Sequence, residues 1–82
     1  MNRAFGRVMR QEAAVREVSR TLTPREIDIV RLISEGHRNR AIGDRLSISE
    51  GTVKIHLHNI YQKLGVGGRL ELVLWAQDQG LV

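Results

Sequence analysis

Cysteine is absent from this 82-residue chain, so neither disulfides nor thiolate-held metals can staple the fold. Proline occurs once, at Pro24, and the only aromatic residues are Phe5, Tyr61 and Trp75. No apolar run approaches the roughly 20 residues needed to cross a bilayer. The N-terminus carries Arg3, Arg7 and Arg10 but lacks the apolar centre of a secretory signal. There is no strand-period alternation, internal repeat or low-complexity tract. What remains is one all-α domain with one small core, stabilised by helix packing and aided by self-association. No metal site or cofactor is expected. An enzyme is not expected either, because the chain has no nucleophile–base pairing, no paired carboxylates placed by a fold and no Gly-rich phosphate loop at a strand end.

Net charge is +4 and the pI about 10.7, which favours a polyanionic partner. The charge is unevenly spread. Residues 1–20 hold five Arg against two Glu, whereas residues 21–82 hold eight basic and seven acidic side chains. Any case for nucleic acid therefore rests on which face holds the charge.

Residues 1–20 read as a helix or frayed arm, or more plainly as a linker, with Phe5, Val8, Met9, Ala13, Val15 and Val18 as a helical stripe that drifts. Leu22-Thr23-Pro24-Arg25-Glu26-Ile27 is a sharper signal. Thr23 is an N-cap, Pro24 takes the first helical position, Glu26 completes a Thr-x-x-Glu capping box, and Leu22 and Ile27 have staple spacing. This helix is expected to run to about Glu35, with Ile27, Val30 and Ile33 inward, Leu32 beside them and Gly36 as its stop. A short helix follows from Asn39, itself a fair cap, to Leu46, with Ile42 and Leu46 on one face. Gly43 inside it costs about 1 kcal/mol against alanine, which makes sense where two backbones approach closely.

Ser47-Ile48-Ser49 then turns into a longer helix ending at Leu64, so the two form a helix-turn-helix. Ser49 is its N-cap and Ile48 and Val53 its staple. Val53, Leu57, Ile60 and Leu64 make one apolar stripe. The opposite arc holds Gly51, Lys54, Ile55, His58, Asn59 and Gln62. That outer face has hydrogen-bonding tips and an exposed isoleucine where a solvated face would carry Glu–Lys pairs, so it reads as a surface for DNA bases. His56 and His58 point about 200° apart and cannot chelate one metal from a regular helix; His56 reads as a packing residue and His37 as a solvated loop residue. A glycine loop from Gly65 leads to a last helix, Arg69 to Gln79, closed by Gly80, with Leu81 folding back. Leu72, Val73 and Ala76 share one arc of it. Leu70, Leu74 and Trp75 form a second, which calls for a partner, Trp75 serving either as dimer anchor or as partly covered core. Arg69 is expected to pin this helix through Glu26 or Glu35.

Leu22-Thr23-Pro24-Arg25-Glu26, Gly36, Asn39, Ile42, Leu46, Ile48-Ser49, Thr52-Val53-Lys54, His56, Ile60, Lys63-Leu64, Val66 and Arg69, in this order, resemble the LuxR-type DNA-binding domain. The resemblance covers residues 22–80. It implies a four-helix domain at 21–82, preceded by an arm or helix at 1–20, that binds double-stranded DNA as a homodimer. The third helix of the domain would lie in the major groove and the last would form the dimer contact. The family's base-contacting positions fall on Lys54, Ile55 and His58. Its phosphate-contacting positions fall around Asn39, at Ser49 and Thr52, and at Lys63. Arg40-Ala41 departs from the family's usual Lys-Glu pair and Gly43 from its usual alanine, so the base preference is this chain's own.

Chemistry extends these sets. Lys54 suits guanine O6 and N7, Asn59 and Gln62 suit adenine or phosphate, and Ile55 suits a thymine methyl. Arg38, Asn39 and Arg40 open a helix where backbone N–H groups favour phosphate. The implied target is pseudo-palindromic, with half-sites about one helical turn apart, roughly 10 bp. RNA polymerase is a further candidate partner, a membrane is not, and the place of work is the cytoplasm and the bacterial nucleoid. Two rival readings are a sigma-factor promoter-recognition domain and a dimerisation module that has kept this fold and lost DNA binding. Twenty residues ahead of the domain cannot hold a sensor, so the chain reads as a truncated effector domain or a stand-alone regulator.

Overall fold

Five helices make up the protein in a computed structural model that describes residues 3–82, with side chains from Met9 onward: α1 Arg3–Val18, α2 Pro24–Ser34, α3 Asn39–Leu46, α4 Glu50–Leu64 and α5 Arg69–Asp78. No described residue is in a strand. The apolar positions Phe5 and Val8 lie outside the described side chains.

The start signals of α2 operate as written. The Thr23 hydroxyl accepts from the Glu26 backbone N–H at 3.2 Å, and Glu26 Oε1 accepts from the Thr23 N–H at 2.9 Å. Pro24 occupies the first turn, where its missing N–H leaves no bond unmade. Leu22 and Ile27 are both buried, which closes the staple. The helix ends one residue before Glu35, its C-cap, and Gly36 follows at φ +93°.

α2 is the hub, packing on α3, α4 and α5. Its buried arc is wider than one stripe because neighbours cover it from several sides. Ile29 is fully buried beside the expected Ile27, Val30 and Ile33, while Leu32 is only half-buried. The core is completed by Ile42 of α3, Val53, Leu57 and Ile60 of α4, Leu72 and Ala76 of α5, and Leu81, which folds back after Gly80.

α1 takes the helical alternative expected for residues 1–20 rather than that of a linker. It is a helix whose C-terminal part is anchored: Ala14 and Val18 are buried, Val15 packs on the core, and Val18 O accepts from the Leu22 N–H at 2.9 Å. Ala13 and Met9, both in the expected stripe, are exposed. The drift of that stripe reflects a helix that packs along only part of its length.

The turn from α3 into α4 holds the one non-glycine residue at positive φ among those described, Ser47 at φ 58° and ψ 41°. The left-handed region costs a side-chain-bearing residue about 1–2 kcal/mol. Ser47→Gly is therefore expected to stabilise the domain by about 0.5–1 kcal/mol after glycine's extra unfolded-state entropy is subtracted. Urea denaturation measures this, and a loss of stability contradicts it.

Candidate nucleic-acid interface

The geometry of the surface begins at Ser49. Its side chain accepts from the Thr52 backbone N–H at 3.0 Å and shares a 2.9 Å hydrogen bond with the Thr52 hydroxyl. The cap fixes where α4 starts. The buried Val53, Leu57 and Ile60 then fix its rotation, and Lys54, Ile55, His58, Asn59 and Gln62 all emerge exposed on the far side. Ile55 is 63% exposed with no intramolecular reason to be apolar. His56 is half-buried at the margin, and Gly65 ends the helix in the left-handed conformation, φ 66°.

How α3 sits against α4 depends on Gly43. A Cβ there would stand 2.6 Å from the Ile48 carbonyl oxygen and 3.3 Å from the Ser49 carbonyl carbon. The close approach anticipated at Gly43 is thus to the backbone of the turn rather than to the body of a helix. It holds the second turn of α3 against the start of α4.

At the start of α3 the residues fall differently from expectation. Arg38, not Asn39, is the N-cap, and its side chain makes no capping bond. Asn39 is the first helical residue, half-buried, and its Oδ1 accepts from Arg69 Nη1 at 3.4 Å. Arg38 and Arg40 are exposed on either side. No side chain caps α3, so the N–H groups of its first turn have no acceptor from the cap residue.

Two charged residues also have other partners than those expected. Arg69 pairs with neither Glu26 nor Glu35; besides Asn39 it donates to the His37 backbone carbonyl. Lys63, expected on phosphate, binds the buried Glu26, Nζ to Oε1 at 2.6 Å. Burial by itself raises the Glu26 carboxyl, but the Lys63 hydrogen bond, the Thr23 N–H, the Lys63 charge and the Thr23 hydroxyl outweigh it and hold the pKa below its ordinary value. Glu35 meets His37 Nε2 at 3.2 Å, and His37 is half-buried rather than solvated. No local pattern announces the Lys63–Glu26 bond, since its ends are 37 positions apart. The capping box had marked only Glu26.

On α5, Leu72 and Ala76 face the core, whereas Leu70 is 72% and Leu74 53% exposed. These two, one turn apart, form the second apolar face. Trp75 is half-buried and packs on the core, so it lies at the margin of that face.

A capped helix with an exposed polar outer face is thus set by a tight turn on a shorter helix. The profile of the bacterial regulatory proteins, luxR family, matches residues 20–76. The chain belongs to the luxR family. The luxR-family helix-turn-helix domain binds DNA in transcription regulation and is not an enzyme family. Among its relatives, an HTH-type transcriptional regulator of Mycobacterium bovis is 48% identical over 60 residues, covering 73% of this chain and 7% of that protein. The nitrate/nitrite response regulator protein NarL of Escherichia coli is 41% identical over 58 residues, 71% of this chain and 27% of NarL. The transcriptional regulatory protein DegU of Brevibacillus brevis is 40% identical over 72 residues, 88% of this chain and 30% of DegU. The luxR-family chain thus spans less than a third of each of these relatives.

Proposed function

We propose that this domain binds double-stranded DNA sequence-specifically in a transcription regulator, with α4 in the major groove. The observation that carries this reading is the outer face of α4, where Lys54, Ile55, His58, Asn59 and Gln62 are all exposed on a helix locked by its cap and buried stripe. Lys54 donates to guanine, Asn59 and Gln62 offer paired donors and acceptors to adenine, and Ile55 covers a thymine methyl. His58 offers a ring N–H to a base edge. Arg38, Asn39 and Arg40, with the α3 N-terminus, hold one phosphate run, and Ser49 and Thr52 a neighbouring one. Lys63 leaves this set, because its ammonium neutralises a buried carboxylate.

A second copy of the domain covers Leu70 and Leu74, giving a homodimer on a pseudo-palindromic site with half-sites about 10 bp apart. Such a protein works in the cytoplasm on the nucleoid, and RNA polymerase is a further partner of a regulator of this type.

Selection from a random duplex pool at moderate salt, followed by gel shift, tests the reading. A recovered two-fold-related motif is the expected result; retention that ignores sequence overturns it. Lys54→Ala is expected to lose about 1–3 kcal/mol on the selected site and relax the motif at one position. Arg40→Ala is expected to weaken every duplex alike and lower the salt slope by about one. Identical behaviour of the two variants contradicts the division of roles.

A further inference from the structure

We propose that Arg69 is a positioning residue for DNA binding: it aims the Asn39 amide at phosphate and ties the loop before α3 to the start of α5. This rests on the DNA-binding reading above. Arg69 is the first residue of α5, far in sequence from α3, yet its guanidinium donates to two groups there, the His37 backbone carbonyl and Asn39 Oδ1. An arginine whose task was only to attach α5 would find that attachment already made by Leu72 and Ala76 in the core.

The chemistry of the second bond gives the inference its content. A carboxamide has one accepting end and one donating end. With Oδ1 occupied by Arg69, the amide of Asn39 is held with Nδ2 free, so both remaining protons are donors. Asn39 is half-buried at the first turn of an uncapped helix, between the exposed Arg38 and Arg40. A fixed donor in that position adds to the first-turn N–H groups that no side chain caps; a flipped amide would present oxygen to an anion and repel it. The planar fork of arginine can hold a carbonyl and an amide oxygen together, which a lysine ammonium cannot do in the same plane. The His37 carbonyl lies two residues ahead of Asn39, so Arg69 clamps the backbone that enters α3 as well as the side chain. His37 itself is braced by Glu35 at 3.2 Å.

Arg69 therefore acts through Asn39, and a double-mutant cycle separates this from the alternatives. Arg69→Ala, Arg69→Lys, Asn39→Ala and the Arg69→Ala/Asn39→Ala double variant are titrated with the selected duplex and with an unrelated one across a salt series, each first shown to be folded by circular dichroism. The expected result is a five- to tenfold loss of affinity for both duplexes in each alanine variant. The double variant should be no weaker than either single variant, and the salt slope should stay unchanged. Arg69→Lys should fail to restore binding. Independent losses that multiply in the double variant overturn the inference, as does a salt slope lower by about one in Arg69→Ala, which marks Arg69 as a direct phosphate ligand. A folded Arg69→Ala variant with wild-type affinity makes the contact purely structural and also overturns it, leaving the DNA-binding reading intact. A wild-type domain that shifts neither duplex overturns both.

Discussion

Glu26→Ala is expected to remove about 3 kcal/mol of folding stability, out of the roughly 5–15 kcal/mol typical of a domain. Two losses combine. The reciprocal cap at Thr23 is worth about 1 kcal/mol, and removing the carboxylate strips the Thr23 N–H of its acceptor. The bond to Lys63 at 2.6 Å is charge-assisted, and such bonds contribute about 1.5–3 kcal/mol. Its loss is moderated because the Lys63 side chain is 39% exposed and can rehydrate. Glu26→Gln separates the two effects, since an amide oxygen still accepts from Thr23 while the charge is gone; about half of the loss should return. Lys63→Met reverses the problem by leaving a buried carboxylate without its cation, and is expected to lose about 2 kcal/mol. Guanidinium denaturation reads all three as shifts of midpoint with little change of slope. A Glu26→Gln variant as stable as wild type would show the charge to be immaterial.

The same carboxylate predicts an acid dependence. Its folded-state pKa lies below the ordinary 4.5. A depressed carboxylate contributes stability that is fully present above the unfolded-state pKa and lost as pH falls through the folded-state value. Wild-type stability should thus fall as pH drops below about 4.5, while Glu26→Gln, with nothing to titrate at this position, falls less steeply over the same window. Parallel curves for the two proteins exclude Glu26 as the source.

Gly43→Val is expected to be at least as damaging, at about 3 kcal/mol, and to disturb the DNA surface as well. Even the Cβ would meet the Ile48 carbonyl at 2.6 Å, and the other nearby atoms, the Ser49 carbonyl carbon and the Glu50 nitrogen at 3.4 Å, are also backbone. Backbone at the start of a capped helix cannot swing aside as a side-chain tip can. Overpacking of this kind typically costs about 1–3 kcal/mol, and the two γ-carbons of valine enlarge it. Glycine's own handicap in a helix, about 1 kcal/mol against alanine, offsets only part of the cost for Gly43→Ala and less for valine. Because α3 must then back away from the turn, Lys54 and Asn39 lose their relative placement, and the folded fraction should bind DNA about tenfold more weakly. A thermal melt and a titration on the same sample check both parts. A valine variant with wild-type stability contradicts the packing argument.

Much of this was legible in the residue order because its causes are local. The Thr23–Glu26 box, the Ser49 cap, the glycine stops and the Val53–Leu57–Ile60 stripe act within one or two turns of chain. They set the limits of α2 to α5 to within a residue or two and decide which side of α4 faces out. The exposed Leu70 and Leu74 were legible for the same reason, as apolar residues lying off the arc that packs. The contacts of Arg69 and Lys63 depended on distant chain, whereas the cap of α3 was missed by one residue locally. Arg69 was assigned to a carboxylate because opposite charges are the obvious pairing, but space places a carbonyl and an amide oxygen within its reach. Lys63 was placed on phosphate by the family resemblance, which says nothing of the buried carboxylate that its ammonium reaches. Asn39 was read as a cap from its residue type, and the backbone set Arg38 there instead.

The division follows from range. Hydrogen bonds between neighbours and the period of the helix are properties of the sequence alone, so the helices, their ends and the outer face of α4 were determined before any packing. Which cation neutralises Glu26 and which groups Arg69 reaches were decided only when α2 gathered α3, α4 and α5 around it. Those choices depend on atoms brought together across some 30 or more positions, and side-chain chemistry in one dimension does not specify which of several suitable partners will arrive.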